Sequence, residues 1–163
     1  MTGTARRGAA YRRPTWVRRA VVNPVARFLV VRGLAGGGQQ NLMRVLRVAG
    51  RRTGRLYDVP IRVAIRRGRR YVVSLLGDAE WARNLRAAGE AGLVDGPHVE
   101  RVLSVELGLD ERTDFLRWYV TVPAHSLSAR AGLKVDPRRP TPDALGRAAR
   151  DHPVFRLTAA PDG

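Results

Sequence analysis

The sequence predicts an α+β protein, mainly β, in which short antiparallel strands close into a small barrel that carries inserted helices. Two observations predict this class. Several short runs alternate apolar and polar side chains and are separated by glycine-containing turns. One more such run follows the helices near the end of the chain, where it can close the sheet.

The strands are predicted from this alternation. In the second strand, Val59, Ile61 and Val63 alternate with Pro60 and Arg62, so that one face is apolar. The other strands are shorter and are bounded by turn residues. The predicted strands are residues 41–48, 56–66, 71–75, 91–94, 98–107 and 154–158.

Three helices are predicted within the barrel domain from apolar residues at helical spacing. Asp78 is the expected N-cap of the first helix, and Gly89 ends it. Thr141 and Pro142 begin the third. The segment 123–139 is expected to be less regular. The predicted helices are residues 81–88, 110–120 and 141–150.

Residues 1–40 are expected to form a basic helical extension that precedes the barrel domain at residues 41–160. Residues 15–32 have amphipathic spacing flanked by arginines, and Pro24 should divide this helix into two pieces. Such a helix can contact an anionic membrane surface peripherally, or it can cover an edge of the domain, and both alternatives stay open. Three glycines at residues 36–38 form the linker to the barrel.

The chain is strongly basic, with a formal charge of +16 from 30 basic and 14 acidic residues. Its positive potential would attract polyanions, but the arginines are spread along the sequence, so we do not expect a nucleic-acid partner. No cysteine is present, which excludes disulfides and thiolate catalysis and fits a cytoplasmic location. No segment approaches the roughly 18 consecutive apolar residues of a membrane span.

The histidines give no sign of a metal centre. His98, His125 and His152 lack the spacing of metal ligands, so no metal site is expected. No nucleophile motif surrounds the serines near His125. Surface or loop positions are therefore predicted for all three histidines.

A glycine-bracketed turn between the first two strands carries the strongest ligand signal. Gly50 and Gly54 permit a tight connection whose amides can point outward. Arg51 and Arg52 supply fork-shaped donors that match phosphate and carboxylate oxygens, and Thr53 adds a hydroxyl. The segment by itself fits two interpretations equally well, an anion cradle and a solvated turn in an arginine-rich protein.

The first predicted helix offers a possible partner for this turn. Trp81 and Asn84 lie three residues apart and therefore share one helical face. If the helix packs beside the barrel mouth, Asn84 could bond a ligand while Trp81 stacks or packs under it. The turn and the helix together predict a binding cleft.

Three strings, GRRTGRLYDVP, RRYVVSLLGD and WARNLRAAG, resemble the deazaflavin-dependent nitroreductase family of the split-barrel flavoproteins. The resemblance covers roughly residues 42–107, and residues 152–157 are similar to the family's last barrel strand. It implies a split β-barrel of the FMN-binding type, with a helical N-terminal extension and inserted helices. It also implies that the cofactor is coenzyme F420, with FMN as the alternative.

The resemblance further implies which residues form the site. The arginine-rich turn would hold the phosphate and polyglutamate tail of F420, and the exit of the third strand would line the deazaflavin ring. Ser74 would position the ring or a developing anion, while Tyr57 and Tyr119 are candidate proton donors by residue type. The implied catalytic residues are Ser74 and Tyr119. The implied cofactor-binding residues are Arg51, Arg52, Thr53, Gly54, Arg55, Pro60, Ser74, Leu75, Leu76, Gly77, Trp81 and Asn84.

The activity implied is hydride transfer between reduced deazaflavin and a small organic acceptor such as a quinone, a nitro compound or an enone. The alternative is a non-catalytic carrier of F420, FMN, haem or a lipid on the same barrel. Related barrels are often dimers, so the resemblance also implies a homodimer.

Overall fold

The structure, a computed structural model, describes residues 41–125 and 129–161. The predicted amphipathic helix at residues 15–32 and the glycine linker at 36–38 lie outside the described residues, and so does the boundary between the two predicted domains. Among the described helices, none is long and apolar enough to cross a membrane.

The described residues form six strands that close into an antiparallel barrel, which confirms the predicted fold class. The order around the barrel is β1-β2-β3-β6-β5-β4, and β1 pairs with both β2 and β4 to complete the closure. The strands are β1 (Asn41–Ala49), β2 (Leu56–Arg66), β3 (Arg69–Val73), β4 (Glu90–Asp95), β5 (His98–Glu106) and β6 (Val154–Ala159).

The bounds of β2 agree with the sequence prediction, whereas β3 begins and ends two residues earlier than predicted. The reason is the turn before it. Arg67 and Gly68 both have positive φ angles, 51° and 72°, which is the geometry of a two-residue hairpin turn. The strand can therefore start immediately after Gly68, and it leaves the ladder before Ser74.

Among the described residues, three α-helices interrupt the strand order: α1 (Glu80–Ala88), α2 (Leu109–Thr121) and α3 (Pro142–Asp151). Thr141 caps α3, since its hydroxyl oxygen accepts from the Ala144 amide at 3.3 Å. The predicted capping of α1 by Asp78 is wrong, because the N-cap position is Ala79. The carboxylate of Asp78 instead binds the guanidinium groups of Arg83 and Arg86.

The core has an inner and an outer part. The inner part fills the barrel with alternate strand residues such as Leu46 and Val63, and α1 contributes Leu85 to it. In the outer part, Phe115 of α2 packs with its ring centroid 4.6 Å from that of Tyr71 on β3. The period of two along each strand therefore separates side chains inside the barrel from those under α2 and α3.

His125 lies in a loop, one of the two positions predicted for the histidines, but it is not at the surface. It lies in a short 3-10 turn, Pro123–His125, but its side chain is fully buried. Its ring stacks on that of Tyr119, with centroids 4.2 Å apart and planes 14° from parallel. The position is thus part of the outer core, which the irregular sequence around it does not reveal.

Candidate functional site

The turn between β1 and β2 has a defined geometry. The Gly50 amide donates to the Arg55 carbonyl at 2.7 Å, and the Gly54 amide donates to the Gly50 carbonyl at 2.8 Å. Gly54 has a φ of +69°, which favours glycine. Within the described part of the chain, the amides of Arg52 and Thr53 donate to no other group, so both remain available to an anionic ligand.

Helix α1 anchors this turn through Asn84. The Asn84 side-chain oxygen accepts from the Arg51 amide at 3.1 Å and from the Arg51 guanidinium at 3.0 Å. Asn84 is 6% exposed, so these bonds form in a largely dry position. The residue predicted to bond a ligand therefore fixes the turn to the helix, and this contact brings the two parts of the predicted cleft together.

Glu80, at the start of α1, forms an ion pair with the turn. Its carboxylate lies 2.6 Å from a guanidinium nitrogen of Arg51 and 3.2 Å from one of Arg83. The hydrogen bond from Arg51 lowers the pKa of Glu80 below its usual value, and the same bond raises the pKa of Arg51. Glu80 was not predicted as a site residue, because its pairing depends on the approach of two segments distant in sequence.

A cleft of about 480 Å³ lies between the turn and α1. Its wall includes Tyr57 and Val59, which continue the apolar face of β2 outward from the barrel interior, since residues two apart share a face. Trp81 of α1 adds a half-buried indole beside Phe155, with ring centroids 6.1 Å apart. The cleft is lined by Gly50, Arg51, Arg52, Thr53, Tyr57, Val59, Glu80, Trp81 and Asn84.

Gly50 gives the cleft part of its shape. A Cβ atom at this position would lie 2.7 Å from the ring of Tyr57. The tyrosine ring lies against the turn because no side chain is present at Gly50, and a Cβ atom there would make the ring shift. The close approach of the ring therefore favours glycine at position 50, in addition to the requirements of the turn itself.

The structure brings five of the predicted cofactor-binding residues to the cleft wall: Arg51, Arg52, Thr53, Trp81 and Asn84. Gly54 and Arg55 belong to the turn but do not line the cleft, and Pro60 is an exposed β2 residue that pairs with Val45. Tyr57 and Val59 line the cleft although they were not among the predicted cofactor-binding residues. The alternation of β2 places both on the face of Ile61, and that pattern could have identified them.

The predicted ring-lining segment at residues 74–77 does not line the cleft. Ser74 is 1% exposed, and its hydroxyl donates to the carbonyl of Gly77. Its own carbonyl oxygen lies 2.9 Å from His152 Nδ1. Leu75 packs against the outer core, whereas Leu76 is 90% exposed.

Tyr119 also lies away from the cleft. Its side chain is 2% exposed within the outer core, between Phe115 and His125. Burial raises the pKa of Tyr119 to about 12. The structure thus places both residues predicted as catalytic, Ser74 and Tyr119, outside the cleft.

Fold and site together describe a six-stranded barrel with a cationic turn over an aromatic cleft. Comparison with known sequences identifies the family: residues 29–132 match the F420H(2)-dependent quinone reductase family. This match spans more than half of the chain, so the chain belongs to that family. The protein is therefore an F420-dependent oxidoreductase, and its cofactor is coenzyme F420. The resemblance in the strings around Gly50 and Trp81 is confirmed.

Solved structures with a similar fold have low sequence identity to this chain. One, an F420-H2 dependent reductase, has 21% identity and a TM-score of 0.48, over 71% of this chain and 93% of that one. A conserved hypothetical protein from Mycobacterium tuberculosis has 15% identity and a TM-score of 0.46, over 83% of this chain and 78% of that one. No functionally curated protein matches the chain significantly.

The residues of the cleft fit the chemistry of F420. The free amides of Arg52 and Thr53 and the exposed guanidinium of Arg52 suit the cofactor's phosphate and carboxylates. The aromatic rings of Tyr57 and Trp81 suit a planar ring system. Within residues 41–125 and 129–161, no group of three or more His, Asp or Glu side chains could hold a metal ion.

Proposed function

We propose that this protein binds reduced F420 in the cleft between the β1–β2 turn and α1 and reduces a quinone with it. The family supports the quinone as acceptor. The observation that carries the assignment of the site is the meeting of an arginine-rich turn, which keeps two free amides, with an aromatic cleft at the barrel mouth.

The turn serves as the anion grip. Arg52 is exposed and forms no salt bridge among the described residues, although its charge helps to lower the pKa of Glu80, so its guanidinium can turn to a phosphate or carboxylate of the cofactor. The Thr53 hydroxyl accepts from the Arg55 amide at 3.2 Å, which shapes the turn and leaves the hydroxyl proton free to donate. Asn84 keeps this grip in register with α1.

The cleft wall serves the reacting ring. Trp81 and Val59 both pack on the inner core, so they present a firm apolar surface. A planar ring bound on this surface would be held in a fixed orientation and shielded from water on that side. Holding donor and acceptor in one geometry is the main contribution of the protein, because the cofactor carries the redox chemistry.

When bound, reduced F420 supplies a hydride, and a quinone that accepts the hydride needs one proton to become the hydroquinone. Tyr57 lines the cleft and carries its phenolic hydroxyl, and 43% of this residue is exposed. We assign the proton delivery to this hydroxyl, which solvent can reprotonate. Ser74 acts, in this proposal, by bonding the Gly77 carbonyl and so holding the loop that leads into α1.

Anaerobic turnover tests the proposal. Purified protein is mixed with reduced F420 and a panel of quinones, nitro compounds and enones, and the reappearance of oxidised F420 is followed. We expect quinones to give the highest kcat/KM. Turnover with nitro compounds or enones alone would overturn the assignment of the acceptor, and binding of F420 without any turnover would favour the carrier alternative.

Two further expectations on partners accompany this proposal. A quinone dissolved in lipid would be reached most easily if residues 15–32 contacted an anionic membrane surface. Pelleting of the protein with anionic vesicles, compared with a variant lacking residues 1–32, tests this contact. The expected homodimer is tested by sedimentation at several protein concentrations.

A further inference from the structure

Arg51 is already neutralised by the protein itself. One of its guanidinium nitrogens lies 2.6 Å from Glu80, and the same nitrogen lies 3.0 Å from the side-chain oxygen of Asn84. The pair is accessible to water, since the side chains are 25% and 69% exposed. One of the two arginines that line the cleft is thus occupied by a carboxylate on the opposite wall.

We propose that Glu80 is an internal competitor for Arg51, which the anionic groups of the cofactor must displace, and that this competition lowers the affinity of the site for F420. The inference rests on the proposed position of the phosphate and tail of F420 at the turn. It assigns Glu80 a role in setting the affinity for the cofactor.

The exposure of the pair makes the exchange feasible. An exposed ion pair shifts an equilibrium by less than about fivefold, so an incoming anion can replace it at small cost. The buried pair of Arg47 and Asp58, with side chains 2% and 7% exposed, cannot exchange in this way.

The contacts around Arg51 allow the turn to keep its conformation when an anion replaces Glu80. The bond from the Arg51 amide to Asn84 is independent of the guanidinium, so the backbone of the turn stays fixed when Glu80 leaves. Arg83 already contacts Glu80 at 3.2 Å and can hold the released carboxylate. Arg83 is in turn held by Asp78 at 3.1 Å.

The effect of Glu80 depends on whether a ligand uses Arg51. An anionic group that binds Arg51 replaces the bond that Glu80 made, so it gains little from this arginine. A phosphate or carboxylate that reaches Arg52 and the free amides of Arg52 and Thr53 breaks no ion pair among the described residues, although the charge of Arg52 also helps to lower the pKa of Glu80. Glu80 therefore opposes the anionic groups of F420 and leaves a fragment without them unaffected.

The test compares the Glu80→Gln variant with the unchanged protein. Affinity is measured by fluorescence titration with F420 and with its deazaflavin fragment that lacks the phosphate and the tail. We expect Glu80→Gln to bind F420 about two- to fivefold tighter and the fragment equally well. Glu100→Gln is the matched control, since it removes the same charge from an arginine pair, that with Arg70, outside the cleft.

The outcomes separate this inference from the proposed site. If the unchanged protein binds F420 no better than the fragment, the tail does not use the turn and the proposed site fails. If F420 binds better than the fragment but Glu80→Gln gives no gain, or Glu100→Gln gives the same gain, the competition fails alone. Thermal unfolding confirms that each variant is folded, and Glu80→Ala repeats the test with a different side chain.

Discussion

Arg47 and Asp58 face each other across β1 and β2 and form a buried, two-pronged ion pair. Both of its N–O distances are 2.7 Å, and the two residues are register partners in the strand pairing. Arg47 lies three residues before Gly50, and Asp58 lies on the other strand of the same hairpin. The pair therefore fixes the two strands whose turn forms the proposed anion grip.

Removing one partner of this pair should be costly. We expect Asp58→Ala to lower the free energy of unfolding by about 3–5 kcal/mol, because it leaves the Arg47 charge buried without its carboxylate. Urea denaturation measures the change. The matched control is Asp95→Ala, which removes a largely exposed carboxylate from Arg44 of the same strand and should cost less than about 1 kcal/mol. Equal losses in the two variants would contradict the structural role of the buried pair.

The contact between Gly50 and Tyr57 predicts an effect of a single methyl group. We expect Gly50→Ala to cost about 1–3 kcal/mol, since its Cβ would lie 2.7 Å from the ring. The cost should fall in a Tyr57→Ala background, which removes the ring. Gly146→Ala within α3 is the control, where a Cβ meets nothing closer than 3.7 Å and should stabilise the helix. An unchanged cost in the double variant would show that the ring is not the obstacle.

The strands could be predicted because burial inside a barrel imposes a period of two, which β2 shows clearly from Val59 to Val63. The role of Asp78 could not be predicted, because the choice between capping a helix and pairing with arginines depends on tertiary contacts. In this chain Arg83 and Arg86 both approach its carboxylate, so capping is lost. The burial of His125 likewise depends on Tyr119, which lies on another element.

The candidate site could be predicted only in part, because some of its contacts also depend on tertiary structure. Turn chemistry and helical spacing identified Arg52 and Trp81 and predicted one cleft from them, and the family resemblance gave that cleft its ligand. The pairing of Glu80 with Arg51 has no sequence signal, since the two residues are 29 positions apart and belong to different elements. The resemblance pointed to Ser74, but the structure places its side chain in a buried contact outside the cleft.

Acid should destabilise the protein through its exposed arginine pairs. The hydrogen bonds from Arg70 lower the pKa of Glu100 below 4.5, and Arg66 lowers that of Asp114 below 3.8. In the unfolded chain these carboxyls titrate near their ordinary values. These carboxyls therefore add their full stability at pH values above the pKa values of the unfolded chain. This stability disappears as the pH falls through the lower pKa values of the folded protein.

Thermal midpoints between pH 6 and pH 3 test this expectation. Glu100→Gln and Asp114→Asn should each flatten the fall of the midpoint on the acid side, and the double variant should combine the two effects because the pairs share no residue. A fall as steep as that of the unchanged protein in both variants would assign the acid sensitivity to other groups.

Arg52 should contribute affinity that depends on salt. We expect Arg52→Ala to weaken F420 binding about tenfold at low ionic strength, because its guanidinium has no carboxylate partner among the described residues and is available to the ligand. The difference should shrink as salt screens the exposed charges. Arg147→Ala, on the exposed surface of α3, removes the same charge away from the cleft and should leave the affinity unchanged. Equal losses in both variants would indicate a general charge effect.

We expect opposite results for Tyr57 and Tyr119 as proton donors to the acceptor. Tyr57 lines the cleft and is in contact with solvent, whereas Tyr119 is buried in the outer core and burial raises its pKa to about 12. We therefore expect Tyr57→Phe to lower kcat about tenfold or more with little change in F420 affinity, and Tyr119→Phe to leave kcat near that of the unchanged protein. Steady-state kinetics with a quinone, recorded across pH, measures both. A loss of kcat confined to Tyr119→Phe would transfer the proton role to the buried tyrosine and would require the acceptor to reach the outer core.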